Sequence, residues 1–180
     1  MARDAVPNVV LTGFMGTGKS TVGRLIAREL GWAFVDTDDV IVDQHGSIEA
    51  IFESRGEDAF RAFEREVAAE VAGRQRHVIA TGGRLLLDAA NADALTATSR
   101  VFCLVANADE IVRRLRADSD GPVRPLLAGK DPTAAVTRLL NERAAGYGQF
   151  EQVPTAGRSP EDIAADIIGR LGIAPAPVQR

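Results

Sequence analysis

The chain has 180 residues, 46% of them hydrophobic and 26% charged, with a formal net charge of −4. This length and composition indicate one globular domain with a full hydrophobic core, and they exclude a disordered or fibrous chain. The acidic balance argues against general binding to nucleic acid or to an anionic membrane. The sequence contains neither a signal-peptide pattern nor an apolar run of membrane-spanning length. Its single cysteine, Cys103, has no partner for an internal disulfide, so we expect a cytoplasmic protein.

Short apolar segments alternate with amphipathic helical patterns along the chain. The apolar runs predict strands at 9–11, 33–35, 78–80 and 101–105. Apolar residues at helical spacing predict helices that include 22–30, 60–71, 111–115, 136–140 and 163–171. This alternation is typical of an α/β fold in which helices cover both faces of a parallel sheet.

The chain is expected to form one domain, residues 1–173, followed by a flexible tail at 174–180. Neither an internal repeat nor a linker divides it. The polar segment at about 117–131 is rich in proline and glycine and interrupts the sheet pattern. We interpret this segment as a surface loop or lid.

Residues 13–20 read Gly-Phe-Met-Gly-Thr-Gly-Lys-Ser, which matches the pattern GxxxxGK[ST] between a strand and a helix. The glycines allow backbone amides to face an anion, Lys19 supplies a cation for the outer phosphates, and the Ser20 hydroxyl can reach Mg²⁺. A plain glycine-rich turn would account for the glycines but not for the adjacent Lys-Ser. The motif therefore predicts a nucleotide site without separating kinases from GTPases or ATPases. Its predicted phosphate-binding residues are Gly13, Met15, Gly16, Thr17, Gly18, Lys19, Ser20 and Thr21.

The first three predicted strands end in polar or glycine residues, at Gly13, Asp36-Thr37-Asp38 and Thr81-Gly82-Gly83. Because the carboxyl ends of parallel strands meet at one edge of a sheet, these groups should lie together where ligands bind. One carboxylate of the pair Asp36 and Asp38 could face Mg²⁺, and the other could accept the proton of an acceptor hydroxyl. Taken alone, however, the triplet favours a turn that begins a helix, since Asp39 follows it.

Arg61 lies between two phenylalanines, close to the apolar face of its predicted helix. A guanidinium near a core requires an anionic partner, because an unpaired buried charge is costly. That anion could be a ligand. Equally, it could be a carboxylate of the same helix, either Glu57 or Glu64.

In combination, these segments resemble the shikimate kinase family. The resemblance runs from residue 9 to about residue 160. It rests on the glycine-rich loop, Asp36-Thr37-Asp38, the segment 51–61, Thr81-Gly82-Gly83, Arg124-Pro125-Leu126-Leu127 and the pairing of Arg143 with Tyr147. It implies a P-loop fold of the nucleoside-monophosphate-kinase type, with a five-stranded parallel sheet flanked by helices and a mobile lid.

The resemblance also implies a reaction, in which the γ-phosphoryl group of ATP moves to the 3-hydroxyl of shikimate during aromatic amino acid biosynthesis. Ser20 and Asp36 would hold Mg²⁺, and Lys19 would act with Arg124 of the lid on the transferring phosphate. Arg114 and Arg158 would lie near the adenine. The expected partners are thus ATP and a small carboxylated polyol, with no nucleic acid or membrane, and the expected state is a monomer.

On the acceptor side, the resemblance makes Asp38 the base or orienting group for the hydroxyl. Arg61 and Arg143 would bind the shikimate carboxylate, helped by Gly82 and Gly83. Planar guanidinium groups suit this task because they bind carboxylates bidentately.

Two features depart from the family pattern, and both lie on the acceptor side. Arg84 stands where the family has a third glycine; it could crowd the pocket, point to solvent or add a contact to a carboxylate. Gly146 and Gly148 are expected to loosen the helix end that presents Arg143. These departures leave two alternatives open: a kinase of a related hydroxy acid such as gluconate, and a nucleotide-binding module that has lost transfer activity.

Overall fold

The computed structural model describes residues 8–118, 127 and 129–173. Within them, a parallel five-stranded sheet has the strand order β2-β3-β1-β4-β5. The strands are β1 Asn8–Thr12, β2 Ala33–Asp36, β3 His77–Ala80, β4 Ser99–Val105 and β5 Glu151–Pro154. This architecture confirms the predicted α/β class.

The described helices are α1 Lys19–Leu30, α2 Thr37–His45, α3 Ile48–Ala72, α4 Ala89–Thr96, α5 Ala108–Ala117, α6 Pro132–Gly148 and α7 Pro160–Leu171, with a 3₁₀ turn at Leu85–Leu87. Every predicted strand and helical stripe falls inside one of these elements. Gly56, with a left-handed φ of 81°, interrupts the helical backbone of α3. The sequence patterns did not locate α4 or β5, because α4 is short and alanine-rich, and β5 buries only Val153.

The sheet separates two hydrophobic cores, and the alternation of side chains along β1 illustrates the division. Val10 faces the core formed with α3, α4, α5 and α6, whereas Val9 and Leu11 face the core formed with α1 and α7. All three residues are fully buried. The continuous apolar run therefore marks a strand covered on both faces, since successive side chains point to opposite sides of a strand.

The strand order determines where a ligand can bind. From the central strand β1 the chain moves to the edge strand β2, returns to β3 beside β1, and then crosses to β4 on the other side. Such a change of direction leaves a crevice at the carboxyl ends of the strands. The register pairs Leu11 with Ala80, and Ala80 with Asp36. The segments that follow these three strands consequently lie side by side.

Some predictions concern segments outside the described residues. Arg124 and most of the predicted lid belong to this group, as does the predicted tail at 174–180. Of the helices that are described, none combines the length and apolarity needed to cross a membrane.

Candidate active site

The glycine-rich loop between β1 and α1 forms the floor of the site. Gly13 has a φ of 130°, and a Cβ atom there would lie 2.3 Å from the carbonyl oxygen of Leu104, so only glycine fits. The Thr17 hydroxyl donates a 2.7 Å hydrogen bond to the carbonyl of Phe14 and closes the turn. Gly18, with a left-handed φ of 97°, caps α1 without a side-chain hydrogen bond, and the first turn of α1 holds no acidic residue. This helix N-terminus therefore favours an anion.

Lys19 and Ser20 are the first residues of α1, and both side chains turn toward the site. The Lys19 ammonium donates to the carbonyls of Gly13 and Phe14, at 2.9 and 3.0 Å. The Ser20 hydroxyl donates to Asp36 Oδ2 at 2.6 Å. The loop and the end of β2 are thus joined by a direct hydrogen bond, and a cation is held above the loop.

The carboxylate of Asp36 serves two structural partners. Its Oδ1 atom accepts the backbone N–H of Asp38 and caps α2, while its Oδ2 atom faces Ser20. The helix-capping interpretation of the triplet is therefore correct for Asp36. The same carboxylate is nevertheless turned toward the glycine-rich loop, so capping and ligand binding do not exclude each other.

Asp38 is the buried carboxylate of the site. Its Oδ1 atom is buried and has no hydrogen-bond partner among the described residues. Burial raises the pKa of Asp38 to about 6, and the neighbouring Asp36 carboxylate acts in the same direction, against the opposing charge of Lys19. A carboxylate with this pKa is ionised at neutral pH and can accept a proton.

The Gly82-Gly83 turn after β3 approaches Asp38 closely. A Cβ atom on Gly82 would lie 2.6 Å from Asp38 Oδ1 and 3.4 Å from Glu64 Oε1, whereas one on Gly83 would meet no atom closer than 3.6 Å. The Gly82 amide donates to the hydroxyl of Thr37 at 3.0 Å. The turn therefore leaves just enough room for the Asp38 carboxylate, and Gly82 is the residue that provides it.

Helix α6 places Arg143 next to the glycine-rich loop and the Gly82-Gly83 turn. The Arg143 Cζ atom lies 5.0 Å from the centre of the Phe14 ring, a cation–π distance. One turn later, the Tyr147 hydroxyl donates a 2.6 Å hydrogen bond to the carbonyl of Gly83. Burial raises the pKa of Tyr147, so this donor keeps its proton. Arg143 is thereby fixed between the glycine-rich loop and the Gly82-Gly83 turn.

Arg61 has both of the internal partners that the sequence offered. Its Nη2 atom donates to Glu57 Oε1 at 2.9 Å and its Nη1 atom to Glu64 Oε2 at 2.6 Å. The Glu64 side chain is only 4% exposed, and burial raises its pKa while Arg61 lowers it. Glu64 also approaches Gly82, so the pair brings Arg61 near the Gly82-Gly83 turn. There Arg61 lines a cavity of about 260 Å³ with Glu57, Glu64 and Arg84, separate from the cavity that contains Asp38.

Arg84 does not crowd the Asp38 pocket. Its backbone adopts an ordinary helical conformation, with φ −111° and ψ −7°, which any residue can take. Its Nη1 atom donates to Glu57 Oε1 at 3.2 Å, and its side chain is half exposed. Of the possibilities open from the sequence, the guanidinium takes a protein carboxylate as its partner.

The two glycines near the end of α6 do not interrupt the helix, which continues to Gly148. A Cβ atom on Gly146 would lie 2.5 Å from Leu87 Cδ2. Gly146 therefore permits close packing of α6 against the 3₁₀ turn, and the expected weakening of this helix end is not visible in its boundaries.

Two cavities meet at the glycine-rich loop, where both include Gly18 and Thr21. The first has a volume of about 530 Å³, and its lining includes Lys19, Ser20, Asp36, Asp38, Gly83 and Arg143. The second, of about 470 Å³, is lined in part by Thr17, Val22, Arg114, Gly157 and Arg158. Six of the eight predicted phosphate-binding residues, together with Asp38, Gly83 and Arg143, thus line the first cavity, and the predicted adenine residues line its neighbour. The predicted acceptor residue Arg61 lines neither of them.

Arg114 supports the loop from below. Its Nη1 atom lies 3.3 Å from the carbonyl oxygen of Gly16, and its Nη2 atom donates to the carbonyl of Thr155 at 2.9 Å. Its Nε atom donates to Glu110 at 2.7 Å. Arg158 is paired with Asp166 at 3.0 Å. Both arginines line the second cavity, each with a protein carboxylate as partner.

The oxygen donors at the loop suit magnesium. Ser20 and Asp36 present a hydroxyl and a carboxylate at one point, and Mg²⁺ prefers oxygen ligands. Within residues 8–118, 127 and 129–173, no group of three or more His, Cys, Asp or Glu side chains could hold a metal ion. A metal here would therefore take most of its ligands from phosphate oxygens and water, as Mg²⁺ does in nucleotide sites.

Two parts of this site were not predicted. Glu64 was considered only as a partner for Arg61, although it lies three residues after Arg61 and beside the apolar stripe of α3, which signals burial. Thr155, which accepts from Arg114, follows the unpredicted strand β5 and carried no signal in the sequence.

A family model described as Shikimate kinase matches residues 15–172. The chain belongs to the shikimate kinase family. It is 41% identical over 172 residues to a shikimate kinase of Geobacter metallireducens, which covers 94% of each chain. A shikimate kinase of Geobacter sulfurreducens is 42% identical over 162 residues, covering 89% of this chain and 88% of that protein.

Solved structures agree with this assignment. A shikimate kinase from Acinetobacter baumannii in complex with shikimate superposes with a TM-score of 0.83 at 34% identity, covering 92% of this chain and 93% of that chain. A gluconokinase from Sinorhizobium meliloti has a TM-score of 0.66 at 18% identity and covers 94% of each chain. The second likeness concerns the fold alone. Shikimate kinases are ATP-dependent phosphotransferases, and the protein is an enzyme of that class.

Gly82→Ala should displace the Asp38 carboxylate rather than unfold the protein, because the added methyl group meets the terminal oxygen of a side chain. We expect kcat to fall by about 10-fold or more, since misplacing a reacting group by 1 Å can cost roughly 100-fold. Gly148→Ala is the matched control, because a Cβ atom there meets nothing within 4 Å. Steady-state kinetics of both variants measure the effect, and unchanged kcat in Gly82→Ala would contradict this account.

Asp38→Asn should stabilise the fold at alkaline pH. Because the folded pKa is about 6 and an unfolded aspartate has a pKa of about 3.9, the folded state holds more protons between these values, so stability falls as pH rises. Above pH 7 the destabilisation by the buried charge is on the order of 3 kcal/mol at most. The variant should therefore melt roughly 3–10 °C higher at pH 8.

Thermal unfolding of Asp38→Asn and the parent at pH 4 and pH 8 tests this prediction. The difference should vanish at pH 4, where the carboxyl group is protonated in the folded state. Asp93→Asn on the exposed surface of α4 is the control. If Asp38→Asn melted at or below the melting temperature of the parent at pH 8, the ionised Asp38 carboxylate would not destabilise the folded protein.

Proposed function

We propose that the protein transfers the γ-phosphoryl group of ATP to the 3-hydroxyl of shikimate. The observation that carries this proposal is the buried, unpartnered Oδ1 atom of Asp38, a carboxylate that lines the same cavity as Lys19 and Arg143. An acceptor hydroxyl placed there would lie between a proton acceptor and the phosphate loop. Membership of the shikimate kinase family supplies the identity of the acceptor.

ATP would lie across the two cavities. The amides of the loop, the N-terminus of α1 and the Lys19 ammonium would bind the phosphates, because each presents positive charge toward the same space. Arg114 and Arg158 would flank the adenine in the neighbouring cavity, which they line. Arg124 lies outside the described residues, and its assignment to the transferring phosphate rests on sequence resemblance alone.

Ser20 and Asp36 would hold Mg²⁺ through their oxygens, which suit this ion. When bound, the ion neutralises phosphate charge that develops during transfer. In the free protein the two side chains are joined to each other by a hydrogen bond, so the donor pair is already assembled. Little reorganisation is then needed when the nucleotide arrives.

Asp38 would orient the acceptor hydroxyl and receive its proton. The hydroxyl oxygen forms a bond to the γ-phosphorus, the bond between the γ-phosphorus and the β–γ bridging oxygen breaks, and ADP leaves. A pKa of about 6 suits this role, because the carboxylate is ionised at neutral pH yet basic enough to accept a proton. Phosphoryl transfer otherwise requires positioning and charge neutralisation more than covalent help.

Arg61 and Arg143 would bind the acceptor's carboxylate on either side of the Gly82-Gly83 turn. Arg143 is held against Phe14 and is directed at the cavity. Arg61 is engaged by Glu57 and Glu64, so ligand binding on this side is an exchange of anions. Gly82 and Gly83 would let the acceptor approach the backbone.

We further propose that the protein acts as a monomer in the cytoplasm, in aromatic amino acid biosynthesis, without binding nucleic acid or membranes. One chain supplies every residue assigned to the site above. The net charge of −4 supports a small-molecule substrate over nucleic acid or an anionic membrane.

ADP release from purified protein with Mg²⁺ and ATP tests the proposed function directly. Shikimate should stimulate ADP release strongly, whereas gluconate and quinate, measured in parallel, should not. If only gluconate or only quinate stimulated ADP release, that compound and not shikimate would be the acceptor. Retained ATP binding with no stimulation by any hydroxy acid would instead identify a nucleotide-binding module without transfer activity.

Asp38→Asn should lower kcat by roughly 100-fold or more, while the affinity for ATP stays nearly unchanged. The amide keeps the shape of the side chain but removes the proton acceptor. Nucleotide titration and steady-state kinetics on the same preparation separate the two effects. A variant that turns over like the parent would exclude Asp38 as the base.

A further inference from the structure

Glu57 Oε1 is shared by two arginines from different elements. It accepts from Arg61 Nε at 3.2 Å and Arg61 Nη2 at 2.9 Å, both on α3. It also accepts from Arg84 Nη1 at 3.2 Å, across from the turn that follows β3. A single carboxylate oxygen therefore bridges the predicted acceptor-binding arginine and the residue that departs from the family pattern.

The contact to Glu57 occupies a particular edge of Arg61. The Nε and Nη2 atoms form one of the two edges through which a guanidinium can bind a carboxylate bidentately. The remaining Nη1 atom donates to Glu64, whose side chain is 4% exposed and held in place. A ligand carboxylate that binds at the Nε–Nη2 edge must therefore displace Glu57, and it can leave Glu64 in place.

Glu57 is able to move, because its side chain is 53% exposed. Moving it away from Arg61 would cost the hydrogen bonds and charge attraction that lower its pKa, unless another cation receives it. Arg84 is that cation. It already donates one N–H group to Glu57, it is 52% exposed, and its remaining donors can take the carboxylate once Arg61 releases it.

We propose that Arg84 is a positioning residue that receives Glu57 when the acceptor's carboxylate enters, and so frees the Nε–Nη2 edge of Arg61. The inference rests on the proposed function, since it requires a carboxylate-bearing acceptor. Arg84 acts through Glu57 and does not touch the substrate. Its contribution is larger in the bound state, where it is the principal partner of Glu57, than in the free state, where Glu57 has three donors.

Kinetics with shikimate as the varied substrate test the inference in Arg84→Gln, Glu57→Gln and the double variant. Arg84→Gln should raise the KM for shikimate about two- to five-fold, the range expected for a solvent-exposed ion pair, with kcat and the KM for ATP unchanged. In the Glu57→Gln background, Arg84→Gln should change the KM for shikimate by less than about 1.5-fold, because the group through which it acts is gone. Arg84→Lys should keep the KM for shikimate close to the parent value, because lysine retains the positive charge.

Arg65→Gln is the matched control. Arg65 also joins α3 to the segment that follows β3, through a 3.0 Å ion pair with Asp88, and it is 55% exposed. Among the described residues, its ion-pair partner is Asp88, and it forms no ion pair with Glu57. Arg65→Gln should destabilise the protein in thermal unfolding about as much as Arg84→Gln does. It should leave the KM for shikimate unchanged.

Three results would overturn the inference. An equal rise in KM in the parent and Glu57→Gln backgrounds would mean that Arg84 binds the acceptor directly. An unchanged KM in Arg84→Gln, with the parent active on shikimate, would remove the role of Arg84 and leave the proposed function standing. A parent protein without shikimate-dependent ADP release would refute the proposed function, and this inference with it.

Discussion

The buried carboxylate of Asp38 is the constraint around which the site is arranged. A charge in a poorly solvated position is stable only when neighbouring groups compensate for it. Burial is the largest cause that raises the pKa of Asp38 to about 6; the negative charges of Asp36 and Glu64 act in the same direction, and Lys19 opposes them. The fold sustains this arrangement because Asp38 lies at the start of α2, beside a glycine that leaves room for its oxygen. The same burial that destabilises the carboxylate makes it basic enough for proton transfer.

The cations that face the predicted ligands already have protein partners. Lys19 donates to loop carbonyls, and Arg61 and Arg114 are paired with carboxylates. At Arg61 and Arg114, the proposed ligand binding is therefore an exchange of partners, whereas Arg143 lies against the Phe14 ring. Such an arrangement holds each guanidinium near its working position while limiting the electrostatic repulsion among them. It also means that affinity for the acceptor depends on how readily a carboxylate such as Glu57 is released.

The sequence predicted the sheet class, four of the strands and the position of the glycine-rich loop, because these follow from local periodicity and from a motif with fixed backbone requirements. Strand β5 was not predicted because it buries only Val153. Helix α4 was not predicted because its eight mostly small residues carry little amphipathic signal. For the site, residue types indicated candidates, and the family resemblance assigned their roles. Neither could determine which carboxylate Arg84 pairs with, since that depends on the distance between α3 and the turn after β3.

Gly82 and Arg84 show how one turn can be constrained at one position and variable two residues later. At Gly82 a Cβ atom would meet Asp38 Oδ1 at 2.6 Å, so the side chain of any other residue disturbs the carboxylate. At Arg84 the backbone is helical and the side chain leaves the turn toward Glu57, so a long cation is accommodated. Arg84 therefore does not line the cavity that contains Asp38. The departure from three consecutive glycines instead changes the charges around Glu57 and Arg61, which is where variation in acceptor binding would arise.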